Sequence, residues 1–153
     1  MANLYNYTEL MALLTYLVED NQTILQNMIE TLQELTAVQV TGHGATEAEA
    51  SDWLKLHDSE WDLAIVDLFL KEGSGLGVVA CCRGRKRCQK VIVLTNYATP
   101  AIRQRSVELG ADAVFDKSSE IDGLMKYCVQ HTASLEKMGA GKPEQGVLLR
   151  APL

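Results

Sequence analysis

Several features of membrane, secreted and metal-stapled proteins are missing from this 153-residue sequence. Its longest apolar stretch is far short of the roughly 20 residues that a membrane-spanning helix needs. Segment 1–10 has no basic start of the kind that opens a signal peptide. The four cysteines form no CxxC pair, so neither a zinc site nor a redox motif is indicated. These absences predict a cytoplasmic protein with reduced thiols and no membrane partner.

Basic residues are also scarce over much of the chain, since residues 1–66 contain eleven acids and a single base, Lys55. The net charge of -6 gives no general attraction to nucleic acid, which is therefore not expected as a partner. The one basic run, residues 83–90, is short enough to be a solvated helix end. Apolar residues make up 47% of the chain, an ordinary value for one globular domain.

Five short apolar runs alternate with helical patterns along the chain. The runs are ALLTYLV, the weaker VQV, LAIV, VIVL and AVF, which begin at residues 12, 38, 63, 91 and 113. Continuous apolar runs of this length are typical of strands that are buried on both faces. Five strands alternating with five helices predict an α/β fold, in which a parallel sheet carries helices on both faces.

Local signals predict where several helices begin and end. Residues 46–49 (TEAE) have the spacing of a capping box, and Thr99 can cap a helix whose first residue is a proline. Gly110 suits the left-handed end of that helix, and Ser118 or Ser119 can cap the last one.

The helical pattern fails beyond residue 134. The following residues contain several glycines, two prolines and no periodicity. We therefore predict a folded domain over residues 12–134 and a flexible C-terminal tail over residues 135–153.

Polar side chains stand directly after four of the five predicted strands. They are Glu19, Asp20, Asp67, Thr95 and Lys117. In an open parallel sheet, side chains beyond the carboxyl ends of the strands converge on one crevice at the switch in strand order. Three carboxylates in one crevice repel one another and need a cation, and oxygen-only ligands favour Mg²⁺. A hydroxyl and an ammonium group beside that ion can bind a phosphoryl group.

These residues lie in segments that resemble the receiver domain of bacterial two-component response regulators. The matching segments are VEDN, IVDLFLKEGSGLGV, VIVLTN and LGADAVFDKS, which begin at residues 18, 65, 91 and 109. The resemblance extends over about residues 12–134. It implies a flavodoxin-like, doubly wound (βα)₅ fold with the strand order 2-1-3-4-5.

The resemblance also implies a function for each of the polar side chains. Asp67 is implied as the phosphoacceptor, which receives its phosphoryl group from a phosphohistidine. The implied ligands of Mg²⁺, or of Mn²⁺ in its place, are Asp67, Glu19, Asp20 and the backbone carbonyl of Phe69.

Further positions are implied to bind the phosphoryl group or to control its lifetime. Thr95 and Lys117 would bind it. Phe69, two positions after the acceptor, and Tyr97, two positions after the hydroxyl residue Thr95, would cover the approach of water and slow dephosphorylation. Val114 stands where an aromatic side chain usually rotates on activation, so we expect Thr95 and the start of the following helix to carry the conformational change.

By this resemblance the chain is a stand-alone response regulator of a two-component or phosphorelay system, and not an enzyme in the ordinary sense. A histidine kinase or histidine phosphotransfer protein would phosphorylate it. Its output would pass to a downstream protein effector, or through a homodimer formed by the fourth helix, fifth strand and fifth helix. The alternative is a degenerate receiver that docks proteins without phosphorylation, which the presence of all five polar residues disfavours.

Other functions on a similar sheet fit the sequence less well. A haloacid-dehalogenase-type phosphatase needs a second aspartate two positions after its nucleophile, where this chain has Phe69. The glycine-rich segments beginning at residues 73 and 139 match neither GxGxxG nor GxxxxGK[ST]. A flavodoxin that binds FMN would have a Ser/Thr-rich loop after the first strand, where VEDN stands.

Overall fold

The computed structural model describes residues 12–141, in which five β-strands alternate with five α-helices. The strands are β1 (Leu13–Val18), β2 (Val38–Gly44), β3 (Leu63–Val66), β4 (Lys90–Thr95) and β5 (Ala113–Asp116). The helices are α1 (Gln22–Leu35), α2 (Glu47–Leu56), α3 (Gly75–Cys81), α4 (Pro100–Glu108) and α5 (Ile121–Gly141).

The strands form one parallel sheet in the order β2-β1-β3-β4-β5, which confirms the predicted fold class and topology. The register aligns the ends of the strands. Val18, the last residue of β1, lies opposite Val66, the last residue of β3. Likewise Thr95 at the end of β4 lies opposite Asp116 at the end of β5. The loops that follow these strands therefore leave from one edge of the sheet.

The core has two layers, one on each face of the sheet. Side chains of β1 alternate between them, since Leu13 and Leu17 belong to one layer and Tyr16 and Val18 to the other. Helices α1 and α5 cover the first layer through Leu25, Leu32, Leu124 and Cys128. Helices α2 and α3 cover the second through Ala50, Leu54, Val78 and Val79. Because both faces are covered, all six residues of β1 are buried, which explains the continuous apolar run in the sequence.

Most of the predicted helix boundaries agree with the structure. The Thr46 side chain accepts a hydrogen bond from Glu49 N at 3.1 Å, and the Thr99 side chain accepts one from Ile102 N at 3.2 Å. Gly110 has a φ of 117°, a conformation that favours glycine at the end of a helix.

The predicted cap of the last helix at Ser118 or Ser119 is wrong. Helix α5 begins at Ile121, so its cap position is Glu120, whose carbonyl accepts the hydrogen bond from Leu124 N. The backbone N–H groups of both serines instead donate to the side chain of Asp116.

Helix α5 continues to Gly141, whereas the sequence predicted a tail from residue 135 onward. Leu135 is partly buried against the core, and residues 135–138 (LEKM) are good helix formers, so the helix continues past the last clear periodicity. Residues 142–153 of the predicted tail lie outside the described residues. Over residues 12–141, none of the helices combines the length and the apolar character needed to cross a membrane.

Candidate functional site

Three carboxylates meet at the edge where β1 and β3 end. The side chains of Glu19, Asp20 and Asp67 can each offer an oxygen so that the three atoms lie within 4.8 Å of one another. Asp67 is held there by its backbone N–H, which donates to the carbonyl of Val18 at 3.0 Å. Asp20 accepts a hydrogen bond from Lys71 N at 2.7 Å, which joins the loop after β1 to the loop after β3.

Lys117, directly after the outermost strand β5, brings a cation to these carboxylates. Its Nζ donates to Glu19 Oε1 at 2.7 Å and to Asp67 Oδ2 at 3.2 Å. Its backbone N–H donates to the carbonyl of Thr95 at 2.9 Å, so the end of β5 is fixed to the end of β4. Glu19 is only 4% exposed, and a carboxylate buried to this degree needs such a partner.

The surroundings of Asp67 disfavour the ionised form of its side chain. Burial raises the pKa of Asp67 above its ordinary value, the Lys117 ammonium lowers it, and the Glu19 carboxylate raises it again, with a net increase. Burial alone would lower the pKa of Lys117, but its hydrogen bond with Glu19 and the charge of Asp67 outweigh this effect, and the pKa is raised. The raised pKa keeps Lys117 protonated beside Glu19 and Asp67.

Thr95 and Tyr97 lie in the loop that leaves the next strand. Thr95 is fully buried, and its hydroxyl accepts a hydrogen bond from Tyr97 N at 3.1 Å. The ring of Tyr97 meets the ring of Phe69 edge to face, with centroids 5.1 Å apart and an angle of 77° between the planes. Both residues are more than half exposed, at 62% for Tyr97 and 54% for Phe69. The two residues predicted to control dephosphorylation thus form one aromatic pair on the surface.

The structure brings Glu19, Asp67 and Lys117 into direct contact, and an oxygen of Asp20 lies within 4.8 Å of the other two carboxylates. The side chain of Thr95 faces its own loop, and the Phe69 carbonyl as a metal ligand stays a prediction. Phe69 itself lies close to the side chain of Asp67, since its backbone N–H donates to Asp67 Oδ1 at 3.4 Å.

Val114 and Phe115, adjacent residues of β5, face opposite layers of the core. Val114 packs against the layer that includes Ile102 and Leu109, whereas Phe115 packs on the other side, with its ring 6.1 Å from that of Tyr127. Phe115 therefore points away from the face that Val114 occupies.

Glu47 holds a loop beside the site, a role that the sequence did not indicate. Its Oε1 accepts a hydrogen bond from Ser74 N at 2.8 Å, so a side chain of α2 holds the loop that follows Asp67. Gly73, with a φ of 80°, and Gly77 leave room for this carboxylate, because a Cβ at either position would collide with it. The signal available in the sequence was this pair of glycines spaced four residues apart.

A profile of the response regulator receiver domain matches residues 15–128. The chain belongs to this family. Receiver domains are signalling domains of bacterial two-component systems, and they bind Mg²⁺ through acidic residues of the kind that cluster here. They interact in general with kinases, phosphotransfer proteins and effectors.

Individual relatives agree with this assignment. The acid tolerance regulatory protein ActR of Rhizobium meliloti is 37% identical over 67 residues, which cover 44% of this chain and 34% of ActR. The matched segment thus spans about a third of the length of that relative, whose activity belongs to a longer protein.

Solved structures share the receiver fold at lower identity. A DNA-binding response regulator of the LuxR family from Staphylococcus aureus has a TM-score of 0.69 and 19% identity, covering 78% of this chain and 98% of that one. A response regulator from Burkholderia pseudomallei, solved with a phosphorylated aspartic acid, a calcium ion and citrate, has a TM-score of 0.64 and 23% identity. That match covers 85% of this chain and 74% of the other.

Proposed function

We propose that Asp67 is the phosphoacceptor of this receiver domain and that Glu19, Asp20 and Asp67 hold the Mg²⁺ ion that the reaction needs. The observation that carries this proposal is the position of Lys117 Nζ, within hydrogen-bonding distance of both Asp67 and Glu19. The donor set fits the ion, since three clustered carboxylates offer hard oxygen ligands and leave an excess of negative charge. The phosphorylated aspartate of the Burkholderia pseudomallei regulator supports the same chemistry.

In the proposed reaction a carboxylate oxygen of Asp67 attacks the phosphorus of a phosphohistidine in line. The new O–P bond forms as the P–N bond breaks, and the departing imidazole nitrogen keeps the electron pair and takes up a proton. Bound Mg²⁺ would neutralise charge on the phosphoryl oxygens. Lys117 adds a second positive charge at Asp67, and Thr95 has a hydroxyl at the end of the neighbouring strand that can donate to the phosphoryl group once it turns from its own loop.

We further propose that a histidine kinase or histidine phosphotransfer protein is the donor and that output passes to a protein effector. All five polar residues of the site are present, which supports phosphorylation over a role in docking proteins without phosphorylation. They are Glu19, Asp20, Asp67, Thr95 and Lys117. The cytoplasmic location, the single-domain organisation, the homodimer through α4, β5 and α5 and the absence of a nucleic-acid partner stay predictions. A slow loss of the phosphoryl group belongs to the same proposal, because the Phe69–Tyr97 pair lies beside the acceptor.

Labelling with radioactive acetyl phosphate tests the acceptor. The parent chain should incorporate label with Mg²⁺ and lose this ability with excess EDTA. Asp67→Asn should remove labelling, whereas Asp122→Asn, which changes an exposed aspartate on α5, should leave it unchanged. Persistent labelling of the Asp67→Asn variant would show that another residue is the acceptor.

A further inference from the structure

Arg103, in the first turns of α4, joins three separate segments at the edge of the site. Its Nε donates to the carbonyl of Ala98 at 3.0 Å, in the loop that follows β4. Its Nη1 donates to the carbonyl of Val114 at 3.1 Å, in β5. Its Nη2 donates to Glu120 Oε1 at 2.6 Å, directly before α5. One planar guanidinium thus spans the gap between two loops, a geometry that a lysine ammonium does not reproduce.

Glu120 extends this connection to the turn that carries Lys117. The same Oε1 that accepts from Arg103 also accepts from Asp116 N at 2.9 Å. Asp116 in turn accepts hydrogen bonds from the Ser118 backbone at 2.8 Å and from the Ser118 hydroxyl at 2.5 Å. The hydrogen bond with Arg103 is the largest influence on Glu120, whose pKa it lowers. Lys117 therefore sits in a turn whose shape depends on Glu120.

The other end of the connection reaches the loop of Thr95 and Tyr97. Ala98, whose carbonyl binds Arg103, is the residue after Tyr97. Tyr97 N donates to the Thr95 hydroxyl, and the Tyr97 carbonyl accepts from Thr99 N at 2.9 Å. A shift of this loop would move the Ala98 carbonyl against the guanidinium of Arg103.

We propose that Arg103 and Glu120 are positioning residues, which couple the loop after Thr95 to the turn that carries Lys117 so that the two respond together. The coupling between the two segments does not depend on the proposed function. Its effect on phosphorylation does, because Thr95 and Lys117 are the proposed phosphoryl ligands. The Arg103–Glu120 pair is partly exposed, with about 40% of each side chain accessible, so it is weak enough to rearrange when the site changes. A change in the two loops on phosphorylation of Asp67 would then be transmitted through Arg103 to the surface of α4.

Hydrogen exchange without any phosphoryl donor tests the coupling. Arg103→Gln, Glu120→Gln and the double variant would be compared with the parent chain. Each single variant should raise exchange at least about threefold in both segments, residues 96–99 and 116–119. The double variant should show no more than the larger single effect, because both substitutions break the same connection. Arg105→Gln is the matched control, since Arg105 lies on the same helix and its contact with Glu108 is long, at 4.0 Å.

Exchange that rises only in the loop nearest each substitution, or effects that add in the double variant, would overturn the coupling. If Arg103→Gln fails to fold, Arg103→Lys replaces it, because a lysine keeps the charge but cannot bridge all three partners. Autodephosphorylation is the second readout: both single variants should change its rate in the same direction by similar factors, and Arg105→Gln should not. A failure of Asp67 to accept label would disprove the proposed function and leave the exchange result standing.

Discussion

Replacing Tyr16 with phenylalanine should stabilise this domain. The side chain of Tyr16 is fully buried and stacks on Trp53, with ring centroids 4.5 Å apart and 22° between the planes. Among the described residues, the Tyr16 hydroxyl is the one buried side-chain nitrogen or oxygen that has no hydrogen-bond partner. Burial, followed by the charge of Glu49, raises the pKa of this phenol, so the group stays protonated and keeps a donor that nothing accepts.

The size of the effect follows from the desolvation of that hydroxyl. A buried polar group without a partner costs about 1–3 kcal/mol, which the phenylalanine avoids. The substitution also leaves a void the size of one oxygen atom, which lowers the free energy of unfolding by on the order of 0.3 kcal/mol. We therefore expect the free energy of unfolding to rise by about 0.7–2.7 kcal/mol. Tm should rise by about 2–4 °C for each kcal/mol. The stack on Trp53 is unaffected, because both rings have the same shape.

Urea unfolding and thermal melts of the parent chain and Tyr16→Phe measure this difference. Tyr97→Phe is the control, since Tyr97 is 62% exposed and loss of its hydroxyl should change stability little. Gly44 offers an independent check, because a Cβ there would collide with the Tyr16 hydroxyl. Gly44→Ala should cost less in the Tyr16→Phe background than in the parent. A Tyr16→Phe variant that is equally or less stable would refute the reasoning.

Three other outcomes follow from the described contacts. Phe69→Asn and Tyr97→Glu should each speed autodephosphorylation in excess Mg²⁺ by more than about threefold, or about 0.65 kcal/mol of barrier, and unchanged rates would contradict the shielding role. Burial lowers the pKa of His131 below its ordinary value of 6.5. The free energy of unfolding should therefore be highest above pH 6.5 and fall below it, because the unfolded chain then binds a proton that the folded one does not. Urea titrations should show this loss in the parent and in His43→Gln but not in His131→Gln. Mg²⁺ at ten times its Kd should raise the free energy of unfolding by about 1.4 kcal/mol, and Asp20→Asn should lose most of that gain in melts at the same concentration.

Structural features that depend on residues close together in the chain could be predicted from the sequence. The buried strands, the cap at Thr99 and the left-handed Gly110 each depend on residue types within one or two turns of chain. The convergence of Asp67 and Lys117 was also predictable, because parallel strands bring their carboxyl ends to one edge whatever their separation in sequence.

Contacts between side chains on different elements were not accessible in this way. Glu47 is 27 positions from Ser74, and Arg103 is 17 positions from Glu120, with no periodicity that links the members of either pair. The capping pattern around Glu47 correctly indicated the start of α2, yet gave no sign that its carboxylate reaches another helix. The orientation of such side chains depends on how helices pack on the sheet, which composition and spacing do not specify.

The contact between Lys117 and Glu19 joins residues 98 positions apart, which matters while the chain is being synthesised. The ribosome releases β1 and β3 first, so Glu19, Asp20 and Asp67 leave it before Lys117 does. Until β5 joins the sheet, Glu19 lacks the lysine that balances its burial, and a buried unpaired charge is costly. An unfinished nascent chain therefore cannot keep this site in its mature geometry, and the completed site marks a chain whose translation has passed residue 117.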